Sequence, residues 1–266
     1  MQKFILSLIF SLITFISFAQ SERIETDRPG KTNTASTTPH RFFQSEIGFQ
    51  KLVIKDKFLN TKKFYFQAPS LLIKYGVISK LELRFISEFD INHERGANFD
   101  DTEKGINNTQ AGFKFNFLKQ RGVIPKSSII AHYRFNALSR IPGGGDSLNG
   151  GNISLAMQHN VTDYFLLGYN IGIDKRSWQY SKRYFFSVSP KFNFAENWQA
   201  FVELYGNFWK KRLPETFIDG GLSYFINNNF KVDLSAGIRV SKDKYSSVKF
   251  FGIGASFRFK TKSDNQ

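Results

Sequence analysis

Leu81-Glu82-Leu83-Arg84-Phe85-Ile86-Ser87-Glu88-Phe89-Asp90-Ile91 is the stretch whose pattern decides the fold. Leu81, Leu83, Phe85, Phe89 and Ile91 share one parity, and Glu82, Arg84, Glu88 and Asp90 share the other. Successive side chains of an extended chain point to opposite faces, so one face is apolar and its reverse is charged. Period two over eleven residues is a strand, not a helix.

The same period recurs on both sides. Upstream, Phe43, Ile47 and Phe49 oppose Gln44, Glu46 and Gln50, and Leu71, Ile73, Tyr75 and Val77 follow. Downstream come Ala111–Phe117, Ile129–Phe135, Ile153–Met157, Phe165–Ile173 and Tyr184–Phe192. Ala200–Phe208, Ile218–Ile226, Val232–Val240 and Phe251–Phe259 complete the set. Twelve strands thus occupy 42–259, with about eighteen residues for each strand and its connection. Short polar turns near 76–80, 160–163, 195–197 and 227–229, with a somewhat longer one at 118–126, alternate with longer loops near 93–106, 139–149, 175–182 and 241–247. Short turns on one rim and long loops on the other fit a closed antiparallel transmembrane barrel, with periplasmic turns and extracellular loops. Pro190 falls inside a strand, lacks an N–H, and predicts a bulge or local break.

The two faces separate a membrane barrel from a soluble sandwich. The polar parity is rich in Gly, Ser and Asn, with few charges. Its acids are Glu46, Glu82, Glu88, Asp90, Asp174, Glu203, Asp219 and Asp233; its bases are Lys74, Arg84, Lys114, Arg134, Lys191, Lys231, Arg239 and Arg258. Eight against eight is neutral, as a confined lumen requires, because an unpaired charge there is costly. These residues, with His132, are the candidate lumen wall. The apolar parity carries Phe, Tyr, Leu or Ile on almost every strand, too much for one soluble core of this size. Phe43, Tyr133, Tyr224 and Phe259, at strand ends, suit the aromatic girdles of a bilayer protein.

Residues 1–19 read as a cleaved secretory signal peptide: a basic start at Lys3, an apolar run from Phe4 to Phe18, and small residues before Gln20. The run is short of the ~20 residues of a spanning helix. The mature chain has 266 − 19 = 247 residues. Residues 20–41 are polar and form an extended lead-in; residues 260–266 form a polar tail. Asp27, Arg28 and Pro29 either fold into the barrel mouth as a plug, pairing with wall charges such as Glu46 or Arg84, or belong to a solvated tether.

The mature start, Ile24-Glu25-Thr26-Asp27-Arg28-Pro29-Gly30-Lys31-Thr32, followed by Gln44-Ser45-Glu46-Ile47-Gly48-Phe49, resembles the bacterial outer-membrane family named for the meta pathway of phenol degradation. Lys74-Tyr75-Gly76-Val77, Leu81-Glu82-Leu83-Arg84, Gly112-Phe113-Lys114, Gly221-Leu222-Ser223-Tyr224 and Asp233-Leu234-Ser235 extend the resemblance along nearly all of the mature chain. It implies an outer-membrane barrel passing small hydrophobic or aromatic solutes, and no catalytic residues.

Other chemistry is faint. There is no cysteine. The histidines His40, His93, His132 and His159 form no metal-spaced pair, and no cofactor or metal motif is present. A barrel lipase would need a His-x-Ser on one face, and none occurs; His132 is the best candidate base for such an enzyme. Asp100-Asp101-Thr102-Glu103 reads as a solvated acidic loop or a Ca²⁺ loop. The net charge of +15 is dispersed through loops, which favours lipopolysaccharide and phospholipid headgroups over nucleic acid as counter-ions. The expected partners are outer-membrane lipids, the barrel-assembly machinery and a small solute. Two functional readings remain: a solute channel, and a plugged structural or receptor barrel.

Overall fold

Thirteen strands and no helix appear in the structure, a computed structural model that describes residues 23–58, 60–96, 99–135, 149–176, 182–210, 212–241 and 246–261. The segment read as a signal peptide, the greater part of each loop expected at 139–149, 175–182 and 241–247, and the tail beyond 261 lie outside the described residues. The strands are β1 (Phe42–Asp56), β2 (Thr61–Ile78), β3 (Leu81–Arg95), β4 (Asp100–Ile106), β5 (Gln110–Leu118), β6 (Lys126–Arg134), β7 (Gly150–Asn160), β8 (Phe165–Arg176), β9 (Arg183–Ala195), β10 (Trp198–Trp209), β11 (Arg212–Asn227), β12 (Phe230–Arg239) and β13 (Ser246–Lys260). Each pairs antiparallel with its neighbours, and β1 joins β13, from Phe42 opposite Lys260 to Asp56 opposite Ser246. This closes a twelve-strand barrel and leaves no edge in the hydrocarbon.

The extra strand is β4. It pairs with the upper half of β3, and β5 pairs with the lower half. The loop expected over 93–106 is therefore mostly wall, because β3 and β4 extend the hairpin past the rim. Asp100 to Glu103 form part of β4, where alternation splits them between two faces, and Asp100 lies 3.5 Å from His93. The acidic segment is thus a strand and not a loop; its four side chains are solvent-exposed as expected, and among the described residues they gather no three-ligand cluster for a metal. Between β4 and β5 the wall breaks at Asn107–Thr109.

Burial is inverted relative to a soluble protein. Lys74, Lys114 and Lys231 head the largest fully buried side chains, while Phe49, Leu83, Tyr133, Ile171, Phe251 and Phe259 are exposed. Backbone ladders join each barrel strand to both neighbours, and the apolar surface faces outward, as lipid as solvent demands. Outer aromatics pair at the short-turn rim: Phe43 with Phe259 (ring centroids 5.6 Å apart), Phe165 with Phe192 (4.9 Å) and Trp198 with Tyr224 (4.9 Å). At Pro190 the ladder to β8 continues opposite Leu167. The ladder to β10 lapses between Lys191 and Val188 with no register shift, so the proline produces a local break and no bulge.

Candidate functional site

The lead-in does not hang free. Ile24 N–H donates to Asn228 O in the β11–β12 turn (2.8 Å), and Thr37 Oγ1 donates to Ser79 O in the β2–β3 turn (2.8 Å). Between these two anchors on the short-turn rim, residues 25–36 rise into the lumen and return. Arg41, at φ 63°, turns the chain into β1.

Three wall glutamates hold this segment by its backbone. Glu46 accepts from Asp27 N–H (3.1 Å) and Arg28 N–H (2.9 Å). Glu203 accepts from Lys31 N–H (2.7 Å) and Thr32 N–H (2.6 Å). Glu82 accepts from Thr38 N–H (2.6 Å). A segment with no ladder must place its amides somewhere, and charge-assisted acceptors serve best in a buried site. Elsewhere Asn33 N–H meets Asn170 Oδ1 (2.6 Å), Thr32 Oγ1 meets Ser187 Oγ (2.8 Å), Thr34 Oγ1 meets Gln158 Oε1 (2.9 Å), and Ala35 O accepts from Ser128 Oγ (2.5 Å). With Lys74, Lys114, Lys231 and Ile253 O added, the described plug bonds to every barrel strand except β11.

Asp27 is the electrostatic centre. Its carboxylate lies 2.8 Å from Arg84, 3.2 Å from Lys114 and 3.3 Å from Lys74. Lys74 also meets Glu46 (2.5 Å), and Arg84 meets Glu82 (2.6 Å). Three cations and three anions close a buried neutral cluster, one of whose anions is supplied by the plug. Burial would raise the Asp27 carboxyl, but Lys114, Lys74 and Arg84 hold it well below the ordinary carboxylate range. Arg28 bonds Asp233 (3.2 Å) and Ile253 O (3.1 Å). Its guanidinium lies on the paired glycines Gly48 and Gly254, where any Cβ would overlap it. Pro29 is half-buried beside it, in a cis bond with Arg28.

The other candidates are spread around this centre. Asp219 is buried and stands opposite Glu203 in the β10–β11 register. On the long-loop side, Arg134 lies 3.6 Å from Asp174, Glu88 accepts from Asn108 (2.7 Å), and Asp90 accepts from Asn107 (2.7 Å). His132 sits between Arg84, which donates to Nε2 (3.0 Å), and Asn152 (3.1 Å), so both ring nitrogens are engaged in the wall. Lys191 is half-buried below the plug. Arg258, bonded to Asn229 (2.9 Å), sits at the short-turn rim beside the Arg23–Glu25 start of the lead-in, and Arg239, bonded to Ser246 O (2.6 Å), sits at the opposite rim away from it.

The plug divides the lumen. A cavity of about 450 Å³ opens above it, floored by Asp27, Arg28, Lys31 and Asn33. Two of about 470 and 270 Å³ lie below it, bounded by Glu25, Ser36 and Thr34. The upper cavity is two-faced: Gln110, His132, Arg134 and Asn152 line one arc, and Phe185, Tyr205, Leu72 and Ile86 line others. The inward aromatics Phe185 and Tyr205, and the glycine seat of Arg28, are what sequence reasoning missed. Simple alternation assigns aromatics outward and gives glycine no role.

The sequence matches, over residues 26–259, the family described as "Putative MetA-pathway of phenol degradation". The chain belongs to this family. No curated protein matches it. Among solved structures it is similar to an outer-membrane channel from Pseudomonas putida F1, with 9% identity and a TM-score of 0.65, covering 87% of this chain and 99% of that one. It is also similar to the translocator domain of the autotransporter NalP from Neisseria meningitidis, with 11% identity and a TM-score of 0.56, covering 83% and 90%. The KdgM porin follows at 15% and 0.51, covering 80% and 99%. At such identities the likeness is one of fold: a twelve-strand outer-membrane-type barrel that different proteins fit to different tasks.

Proposed function

We propose that this member of the phenol-degradation family is a gated channel of the bacterial outer membrane, exported by its N-terminal signal peptide, that passes small amphiphilic solutes. The single observation carrying this reading is the two-faced cavity whose floor is a separate, non-strand segment. A sealed structural barrel has no need of a vestibule about the size of a small-molecule site. A plug held by hydrogen bonds and ion pairs can move without disturbing the ladders of the wall. The polar arc accepts a solute's hydroxyl or carboxylate, and Phe185 and Tyr205 accept its ring or chain. The family and the channel of similar fold support this reading, which agrees with the small hydrophobic or aromatic solutes implied by the sequence motifs.

The test is conductance and solute flux in planar bilayers and liposomes, for the intact protein and for a variant lacking residues 23–38. The intact protein is expected to open intermittently and to pass small aromatic acids or alcohols. The deletion is expected to conduct steadily. If the deletion conducts while the intact protein never opens to any solute, the plugged receptor or structural barrel is the correct reading. If a correctly folded deletion neither conducts nor passes solute, both plug and channel are wrong.

A further inference from the structure

The outward face of the barrel is apolar over most strands, but at the long-loop rim of β13, β1, β2, β3 and β4 it is basic. The register places Ser247, Lys55, Lys62, Arg95 and Asp100 in one row across five strands. The next row holds Lys249, Val53, Phe64, His93 and Thr102, and the third Phe251, Lys51, Phe66, Ile91 and Lys104. Lys55, Lys62 and Arg95 are thus directly opposite one another on adjacent strands, an arrangement that repels. Lys51, Lys55, Lys62, Lys104 and Lys249 are all exposed. Among the described residues the only acid on any of these six cations is Asp100, 3.8 Å from Arg95. The lysines lie over rings: Lys62 Nζ is 4.7 Å from the Phe64 centroid, and Lys51 Nζ is 5.5 Å from Phe64 and 5.1 Å from Phe66.

We propose that this patch is a specific binding site for one lipopolysaccharide molecule, seating the phosphates of its lipid anchor on Lys51, Lys55, Lys62 and Lys249 and its acyl chains on Phe64, Phe66 and Phe251. Charge complementarity commits the occupant. Uncompensated cations, outward on a barrel wall, stand where the lipid-facing band meets the extracellular rim, and the anionic lipid of that leaflet is a phosphorylated glycolipid. A row of like charges costs stability unless anions bridge it, and a phosphate bridging Lys55 and Lys62 lowers that cost, with a second reached by Lys249 in the next row. Phe64 and Phe66 beneath the ammonium groups give apolar contact at the depth where acyl chains begin. The site rests on the proposed outer-membrane orientation with the long loops outward. Binding is read on purified protein without any conductance, so its failure leaves the channel reading standing.

The experiment is native mass spectrometry of the full mature protein in detergent, with bisphosphorylated lipid A, dephosphorylated lipid A, and phosphatidylglycerol as competitor. The expected result is one retained bisphosphorylated lipid A. Binding should fall at least tenfold on dephosphorylation, and at least tenfold in the Lys51→Gln/Lys55→Gln/Lys62→Gln variant. Lys119→Gln, exposed on the opposite rim, should bind as the parent does. The variants change only exposed side chains, and a gel shift on boiling verifies their folding. Equal binding of dephosphorylated lipid A, undiminished binding by the triple variant, or displacement by equimolar phosphatidylglycerol would each overturn the assignment.

Discussion

Replacing Asp27 by Asn removes the one anion that the plug contributes to the central cluster. Lys74, Arg84 and Lys114 then face only Glu46 and Glu82, three charges against two, with all five side chains buried. Breaking a buried pair by deleting one partner costs about 3–5 kcal/mol. At about 1.4 kcal/mol per tenfold, plug release becomes roughly a hundred- to several-thousand-fold more favourable. When the plug lifts, water reaches the cations, so the cost falls chiefly on the seated state. The chain has no cysteine, which gives a clean reporter. Thr32, 2% exposed in the seated plug, is replaced by Cys and labelled with a membrane-impermeant maleimide in outer-membrane vesicles. The Thr32→Cys protein should label slowly, and Thr32→Cys/Asp27→Asn faster by two orders of magnitude or more. The pH dependence has a definite sign. The Asp27 carboxyl is held well below 3.8, and a lowered value stabilises the seated plug above the unperturbed one and loses that stabilisation as pH falls through the lowered one. Single-channel open probability of the unmodified protein therefore stays low from neutrality to about pH 4 and rises only below it. The Asp27→Asn variant should show a smaller acid rise, because Glu46, Glu82 and Glu203 still hold the plug by its amides. If the double variant labels within threefold of its parent while its barrel still shifts on boiling, the charge lock is refuted.

Glu203→Gln weakens two backbone hydrogen bonds to a charged acceptor, each worth about 1.5–3 kcal/mol; the amide oxygen still accepts, so single-channel open probability should rise less than in Asp27→Asn. Gly48→Leu puts a side chain where the Arg28 guanidinium lies and should raise open probability by tenfold or more with little change in the boiling temperature of the barrel, measured by gel shift. Phe185→Ala with Tyr205→Ala should slow flux of aromatic solutes in liposomes several-fold and leave small-ion conductance nearly unchanged, because only the apolar arc of the vestibule is altered.

The barrel was legible because its cause is local. Period two follows from the geometry of an extended chain, and lipid outside with water inside imposes opposite chemistry on the two parities. Leu81 to Ile91 therefore already assigns Glu82 and Arg84 inward and Leu83 and Phe85 outward, where the structure has them. The family motifs were legible for the same reason, being short and continuous. The wall over 93–106 was not, because its polar composition suits both a loop and a strand extended beyond the membrane, and only pairing with β3 decides between them. The plug lay further out of reach. Polar residues without periodicity fit a tether equally well; Glu46 and Arg84 could be named as partners from their parity, but nothing along the chain tells that Glu82 and Glu203 would also take up its amides. Those contacts join residues 18 to 172 positions apart, and barrel closure alone brings them together. Sequence determined which face of each strand meets lipid; tertiary structure decided what fills the lumen, because closing the barrel converts a list of inward charges into a cavity in which each must find a partner.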